Sequence, residues 1–272
     1  MTKIKKNISS KVVIVFLLAI ILLSVLIILR RGQMKSLEAD AYNVQSLSVE
    51  SIVKNTDETT RKLMIVAHPD DEVLWGGGHL MSGDYLVVCV TDGRNKVRAK
   101  EFADVVKASG NKFIMMEYPD KVGGVRDNWS KVENKISADI EKIMTYKKWD
   151  QIVTHNLNGE YGHIHHKSLH AIVTEIYDKD NIKSDLYTFG KYYRKAVLDP
   201  KKDNLVEISE EQYQFKKKLA DMYVSQKKVV KKLWHMSRYE MWTKYEPYSE
   251  HPYMKKKDQR VRSIRKEEIN EA

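Results

Sequence analysis

Hydrophobic positions are spread unevenly along the 272-residue chain, and their spacing divides it. From Val12 to Leu29 the run VVIVFLLAIILLSVLIIL contains one polar residue, Ser24, and no charge. Eighteen residues rise about 27 Å as a helix, close to the hydrocarbon thickness of a bilayer, so the run predicts one N-terminal transmembrane helix. A signal peptide has a shorter apolar core, about 7–15 residues, with a small-x-small cleavage site close behind it. Here the only such site, Ala39-Asp-Ala41, lies well past the run and behind Arg30-Arg31. The expectation is an uncleaved membrane anchor over residues 1–35. Residues 36–60 are polar and weakly periodic and read as a stalk.

From Arg61 onward short apolar runs alternate with helical patterns. LMIVA at 63–67, YLVVCVT at 85–91, KFIMMEY at 112–118 and DQIVTHN at 150–156 fit buried strands of a parallel sheet. Val97, Phe102, Val105 and Val106 share one side of a helix over 97–109 that stops at Gly110. Trp129, Val132, Ile136, Ile140 and Ile143 repeat every three or four residues and predict a second helix over 129–146. This alternation implies an α/β fold, a doubly wound and mostly parallel sheet, over 61–250. Within it LYTF and LVEIS, in 186–208, suggest an added sheet edge, and 209–245 looks helical. Residues 251–272 read as a charged tail.

A balance of 42% hydrophobic and 31% charged residues excludes a low-complexity chain. The single cysteine, Cys89, leaves no intramolecular disulfide and no cysteine-only metal cluster, so a metal site must use His and carboxylates. The net charge of +10 suggests nucleic acid until it is divided by position. Residues 1–35 hold seven Lys/Arg and no acid, residues 226–272 hold thirteen against seven, and the remainder holds 27 against 30. The body is therefore no polyanion-binding surface, nucleic acid is excluded as a partner, and the basic ends point to membrane lipid. Lys3, Lys5, Lys6 and Lys11 before the span oppose Arg30, Arg31 and Lys35 after it, a margin of one that favours the domain on the extracytoplasmic side.

In open α/β sheets reactive residues gather beyond the carboxyl ends of the strands. The four strands here end in HPDDE, TDGR, YPD and the segment His155 to His170, and each delivers ionisable groups to that edge. In His68-Pro-Asp-Asp-Glu72 three adjacent carboxylates repel one another, and a divalent cation relieves this by binding one and leaving its neighbour ionised as a base. In the second cluster, GEYGHIHHKSLH, a helix from about His165 places His166 and His170 one turn apart, a pair that chelates a metal unaided, with His163 before the helix. Either pairing gives a two-His-one-carboxylate site with open positions, against the alternative of a surface histidine cluster. Iron(II) oxygenases use the same donors but on a β-helix. A non-catalytic sugar- or metal-binding protein on the same fold is the further alternative.

AHPDDE after the first strand, T-x-G-R followed by Arg98-x-x-Glu101, the aromatic-Pro-Asp at 118–120, and GEYGH-x-x-H resemble the PIG-L/LmbE family of zinc-dependent N-acetylglucosaminyl deacetylases over residues 61–177. The resemblance implies a Rossmann-like domain that removes the acetyl group from an N-acetylated amino sugar, carried on a glycolipid, polysaccharide or conjugate. It implies His68, Asp71 and His166 as zinc ligands, Asp70 as general base and His163 as the group meeting the oxyanion or the leaving amine. Arg98, Asp120 and Tyr161 fall at substrate-contacting positions. Two departures stand out: Arg94 occupies a place where many relatives carry an acid, and His165 is a third histidine where the family uses two. Trp234, Tyr239, Trp242, Tyr245 and Tyr248 form an aromatic set among basic residues, suited to core packing, sugar stacking or lipid headgroups.

Overall fold

The computed structural model describes residues 10–247. The charged tail over 251–272, Tyr248, and the lysines before residue 10 lie outside the described residues. Helix α1 (Ser10–Tyr42) is long and apolar enough to cross a membrane, a property that retained anchors and signal sequences share. Its side chains from Ile14 to Leu29 are exposed, and Ser24 donates its hydroxyl to the Ile20 carbonyl at 2.9 Å, so the one polar group in the run is satisfied within the helix. The helix passes position 36, where the sequence reading starts a stalk, because Glu38, Ala39 and Ala41 are good helix formers with no proline among them. Beyond it, Val44 is buried, and α2 (Val49–Lys54), capped by the Ser48 hydroxyl, buries Ile52 completely. Residues 44–60 thus pack as part of the α/β unit. The periodicity is weak because Val49 and Val53 stay exposed and Ile52 alone of the helix turns inward.

The α/β unit continues through β1 (Lys62–Val66), α3 (Asp71–Gly76), β2 (Tyr85–Thr91), α4 (Lys96–Ala108) and β3 (Lys112–Tyr118). A two-stranded hairpin, β4 (Lys121–Val122) and β5 (Val125–Arg126), precedes α5 (Glu133–Thr145), β6 (Gln151–Thr154), α6 (Gly159–Gly162), α7 (Ile164–Lys179) and β7 (Asp185–Thr188). Then come α8 (Lys195–Leu198), α9 (Glu210–Asp221), α10 (Lys227–Leu233) and β8 (Thr243–Lys244). The sheet order is β3-β2-β1-β6-β7-β8, parallel throughout except for β8. All seven residues of β2 and the last four of β1 are buried, as a sheet covered on both faces requires. The strand order reverses between β1 and β6, and this opens a crevice beyond their carboxyl ends.

Three local expectations give way to tertiary context. LYTF forms β7 inside the sheet, whereas LVEIS is not a strand and ends at Ser209, which caps α9 in a reciprocal box with Gln212. The helical pattern from 209 breaks between α9 and α10 and ends in a 3-10 turn at Met236. Helix α5 starts at Glu133, because Trp129 adopts a φ of 64° that no helix interior contains.

The segment after α8 locks onto the back of α3. Lys216, completely buried, donates to Glu240 at 2.6 Å and to the Leu74 carbonyl at 2.9 Å, while Glu240 also accepts from the Gly78 N–H, the His79 N–H and His79 Nδ1. Trp242 stacks on His79 and donates to the Trp75 carbonyl. Burial alone would raise the Glu240 carboxyl; Lys216, His79 and the Gly78 amide outweigh it and hold it at about 2. Lys216→Met strands that carboxylate, and we expect a loss of about 3–5 kcal/mol in denaturant unfolding at neutral pH. The deficit should shrink as acid protonates Glu240 in the variant, because a depressed carboxyl contributes above its unfolded pKa of about 4.5 and loses that contribution below it. An unchanged midpoint at pH 7 would contradict the pair's role.

A second compact unit comprises α1 and the hairpin segment Lys121–Asp127. Gly123, at φ 58°, lets the hairpin turn meet α1 closely: a Cβ there would stand 2.8 Å from the Met34 methyl. Tyr42 donates its hydroxyl to Asp127 at 2.6 Å.

Candidate metal centre and active site

β1 ends at Val66, and the chain turns through His68-Pro69-Asp70 into α3. Asp70 takes this turn at φ 109°, a conformation unfavourable for a residue with a Cβ. Glu72 holds it there: its Oε2 accepts from the Asp70 amide at 3.1 Å, and its Oε1 accepts from the Tyr223 hydroxyl. Burial raises the Glu72 carboxyl to about 7, against the pull of Tyr223 and backbone donors. The third carboxylate of the acidic turn is thus a brace for the loop.

Three donor atoms converge beside this turn. His68 Nδ1, Asp71 Oδ2 and His166 Nε2 lie 3.2, 3.3 and 3.3 Å apart in pairs, and all three residues are buried. Three ligands about 2.1 Å from one tetrahedral zinc ion would stand roughly 3.4 Å apart. His170 is placed elsewhere: its Nδ1 donates to the His155 carbonyl at 2.9 Å, and it lines a separate cavity of about 1020 Å³ with Asn156, Thr174 and Tyr245.

The orientation of His166 is fixed from behind. The Ala67 amide donates to His155 Nε2 at 3.0 Å, so His155 Nδ1 carries the proton and donates to Glu160 Oε2 at 3.0 Å. The same Oε2 accepts from His166 Nδ1 at 2.5 Å, and Oε1 accepts from the Asn156 amide. His166 therefore turns the lone pair of Nε2 toward Asp71 and His68, as an imidazole ligand held by a carboxylate does. A lone pair facing a carboxylate oxygen at 3.3 Å is repulsive unless a cation or proton lies between them. The electrostatics express the same demand. Burial opposes charge on His166, yet Asp71 and Glu160 on its two sides push it up to about 10. Burial would raise Asp71 and Glu160, but the neighbouring imidazoles hold Asp71 well below the carboxylate range and Glu160 at about 2. The donors present fit a divalent cation.

The remaining residues singled out from sequence surround this point. Burial, then the charge of Asp71, raises the Asp70 carboxyl well above its usual range, with Arg98 opposing. Arg98 lies 3.7 Å from Asp70 and donates to Asp92 at 2.5 Å and to the Pro69 carbonyl at 2.7 Å, leaving its buried Nε without a partner. His163 caps α7: its Nδ1 accepts from the His165 amide at 3.2 Å, so Nε2 carries the proton, and its ring centroid lies 4.5 Å from those of His68 and His166. Asp120 stands 3.3 Å from His68 Nε2. Tyr161, 42% exposed, meets Trp75 and Tyr192 at ring distances of 6.3 and 6.1 Å.

His165 is neither a surface residue nor part of the donor triangle. It is completely buried, stacked on Trp129 at 4.2 Å, with Nδ1 3.0 Å from His68 Nε2. His155 and Glu160 take no role in the sequence reading. Their signal was a histidine ending a strand and an acid six residues before a candidate ligand, and only the fold joins them.

The profile of the GlcNAc-PI de-N-acetylase family, PIG-L, matches residues 63–177. An uncharacterized protein of Acanthamoeba polyphaga mimivirus is 30% identical over 200 residues, 67% of this chain and 79% of its own. Among solved structures, a deacetylase of teicoplanin biosynthesis superposes with a TM-score of 0.50 at 17% identity, over 63% of this chain and 86% of its own, and so shares the fold. The A40926 pseudoaglycone deacetylase gives 0.49 at 17% identity, over 64% and 85%.

Proposed function

Because the chain belongs to the PIG-L family of de-N-acetylases, we propose that it is a zinc-dependent hydrolase that removes the acetyl group from an N-acetylated amino sugar. The observation that carries this reading is the triangle of His68, Asp71 and His166 donors beside an ionisable Asp70 and a proton-bearing His163. His68, Asp71 and His166 would hold the zinc, which would supply a bound water with its pKa lowered to about 7. Asp70 takes the proton as water oxygen adds to the acetyl carbonyl carbon, and His163 Nε2–H donates to the oxygen on which charge develops. The C–N bond then breaks as the amine takes up the proton that Asp70 had accepted, which restores the base, and acetate is released. Tyr161 with Trp75 and Tyr192 offers an aromatic wall for a sugar ring, and Asp120 offers an acceptor for its hydroxyls. Arg98 holds the Asp70 loop through the Pro69 carbonyl and sets its charge beside Asp70. An iron oxygenase reading finds no support in a parallel α/β sheet.

The test is a mass-spectrometric screen of the zinc-loaded chain against lipid-linked, polymeric and soluble N-acetylglucosaminides for loss of an acetyl group. No loss from any of the three classes would overturn the reading. Glu160→Gln should weaken zinc binding about 10- to 100-fold in chelator competition, because it loosens the carboxylate that sets the His166 tautomer. Unchanged affinity would remove Glu160 from that role.

We also read α1 as a retained anchor. The chain should then stay in the membrane fraction at high salt and alkaline pH, since a hydrophobic hold survives both. Release of a form beginning near Tyr42 would mark a cleaved signal instead. The margin of one positive charge favours the domain outside, and protease added to intact cells should then trim it; a fully protected domain would reverse the orientation.

A further inference from the structure

We propose that α10 and the segment 191–197 form a second membrane contact, a cationic surface that docks on anionic lipid headgroups beside the active site. Residues 222–239 contain Lys227, Lys228, Lys231, Lys232 and Arg238 and no acid. In α10 the four lysines fall at i, i+1, i+4 and i+5, one continuous face, and all are exposed, while Val229, Val230 and Leu233 pack into the core on the other. Exposed Lys191, Arg194 and Lys195 extend the surface. His235 joins the two pieces, with Nδ1 on the Lys232 carbonyl at 3.1 Å and Nε2 on the Tyr193 carbonyl at 2.9 Å. Among the described residues, the four α10 lysines, Lys191 and Arg194 have no carboxylate within ion-pair distance, whereas Lys179, Lys202 and Arg238 do. Exposed Val197 and Val224 add apolar contacts, 49% and 61% accessible.

Two observations select a bilayer over another polyanion. The chain carries its own apolar span, which holds the α/β unit near a membrane surface; this step rests on the retained-anchor reading. The face also pairs cations with isolated aliphatic side chains, a combination suited to a headgroup layer, where each Lys or Arg near an anionic surface adds attraction. Its position has a functional meaning. His235 packs on Tyr192, and Tyr192 on Trp75 and Tyr161, so the docked face lies next to the aromatic wall of the proposed site.

The test uses the full chain in nanodiscs of phosphatidylcholine alone or with about one-third phosphatidylglycerol, and reads acylation of individual lysines by a water-soluble ester. We expect labelling of Lys227, Lys228, Lys231 and Lys232 to fall severalfold in the anionic discs and to recover at about 0.5 M salt. In Lys227→Glu/Lys231→Glu, labelling of Lys228 and Lys232 should become equal in the two disc types. These surface changes leave the core untouched, so metal content should persist, and the outcome is independent of whether the chain deacetylates anything. Equal labelling of the unmodified chain in both discs would overturn the proposal, as would protection that appears only when RNA or an acidic protein is added.

Discussion

Asp70→Asn is expected to cut turnover by about two to four orders of magnitude while leaving zinc content and substrate binding in place. The substitution keeps the size of the side chain and removes its capacity to accept a proton, and general-base catalysis contributes on that scale. Asn tolerates positive φ at least as well as Asp, so the 109° turn should survive, and the Glu72 brace bonds the Asp70 amide without involving its side chain. Turnover within a few-fold of the parent, at normal zinc content, would remove Asp70 from the chemistry.

Asp71→Ala and His166→Ala should each bring bound zinc from about one per chain to near zero and abolish deacetylation with it, whereas His170→Ala should keep the metal. Removing Asp71 deletes the oxygen that His68 and His166 both face at 3.2–3.3 Å, and removing His166 also strands Glu160 with one imidazole partner. Metal analysis of the purified variants decides between the histidines. Full zinc in His166→Ala with loss in His170→Ala would shift the third ligand by one helical turn and overturn the assignment.

The strands were legible because β1, β2 and β6 are buried on both faces and so appear as unbroken apolar runs, while the edge strand β3 buries Ile114, Met116 and Tyr118 in alternation. The position of the site was legible for a related reason, since a parallel sheet delivers the residues that follow its strands to one edge. What escaped was set by distant partners. Lys216 lies in a run of three lysines and reads as solvated, yet it meets a carboxylate 24 positions away that no local pattern announces. Trp129 fits the α5 stripe by spacing, but stacking on His165 draws it out of the helix. Glu160 belongs to a motif whose other members look catalytic, and its work is to orient a neighbour, which appears only when β6 and α7 are placed together.

The donor triangle has a kinetic corollary. His68 and His166 are 98 positions apart, and they meet only where β1 pairs with β6 across the intervening β2, β3 and their helices. Closing so long a loop is slow compared with forming the local turns. A refolding chain should therefore gain its helical signal well before it can hold an ion, and the appearance of tight binding would time that long-range closure.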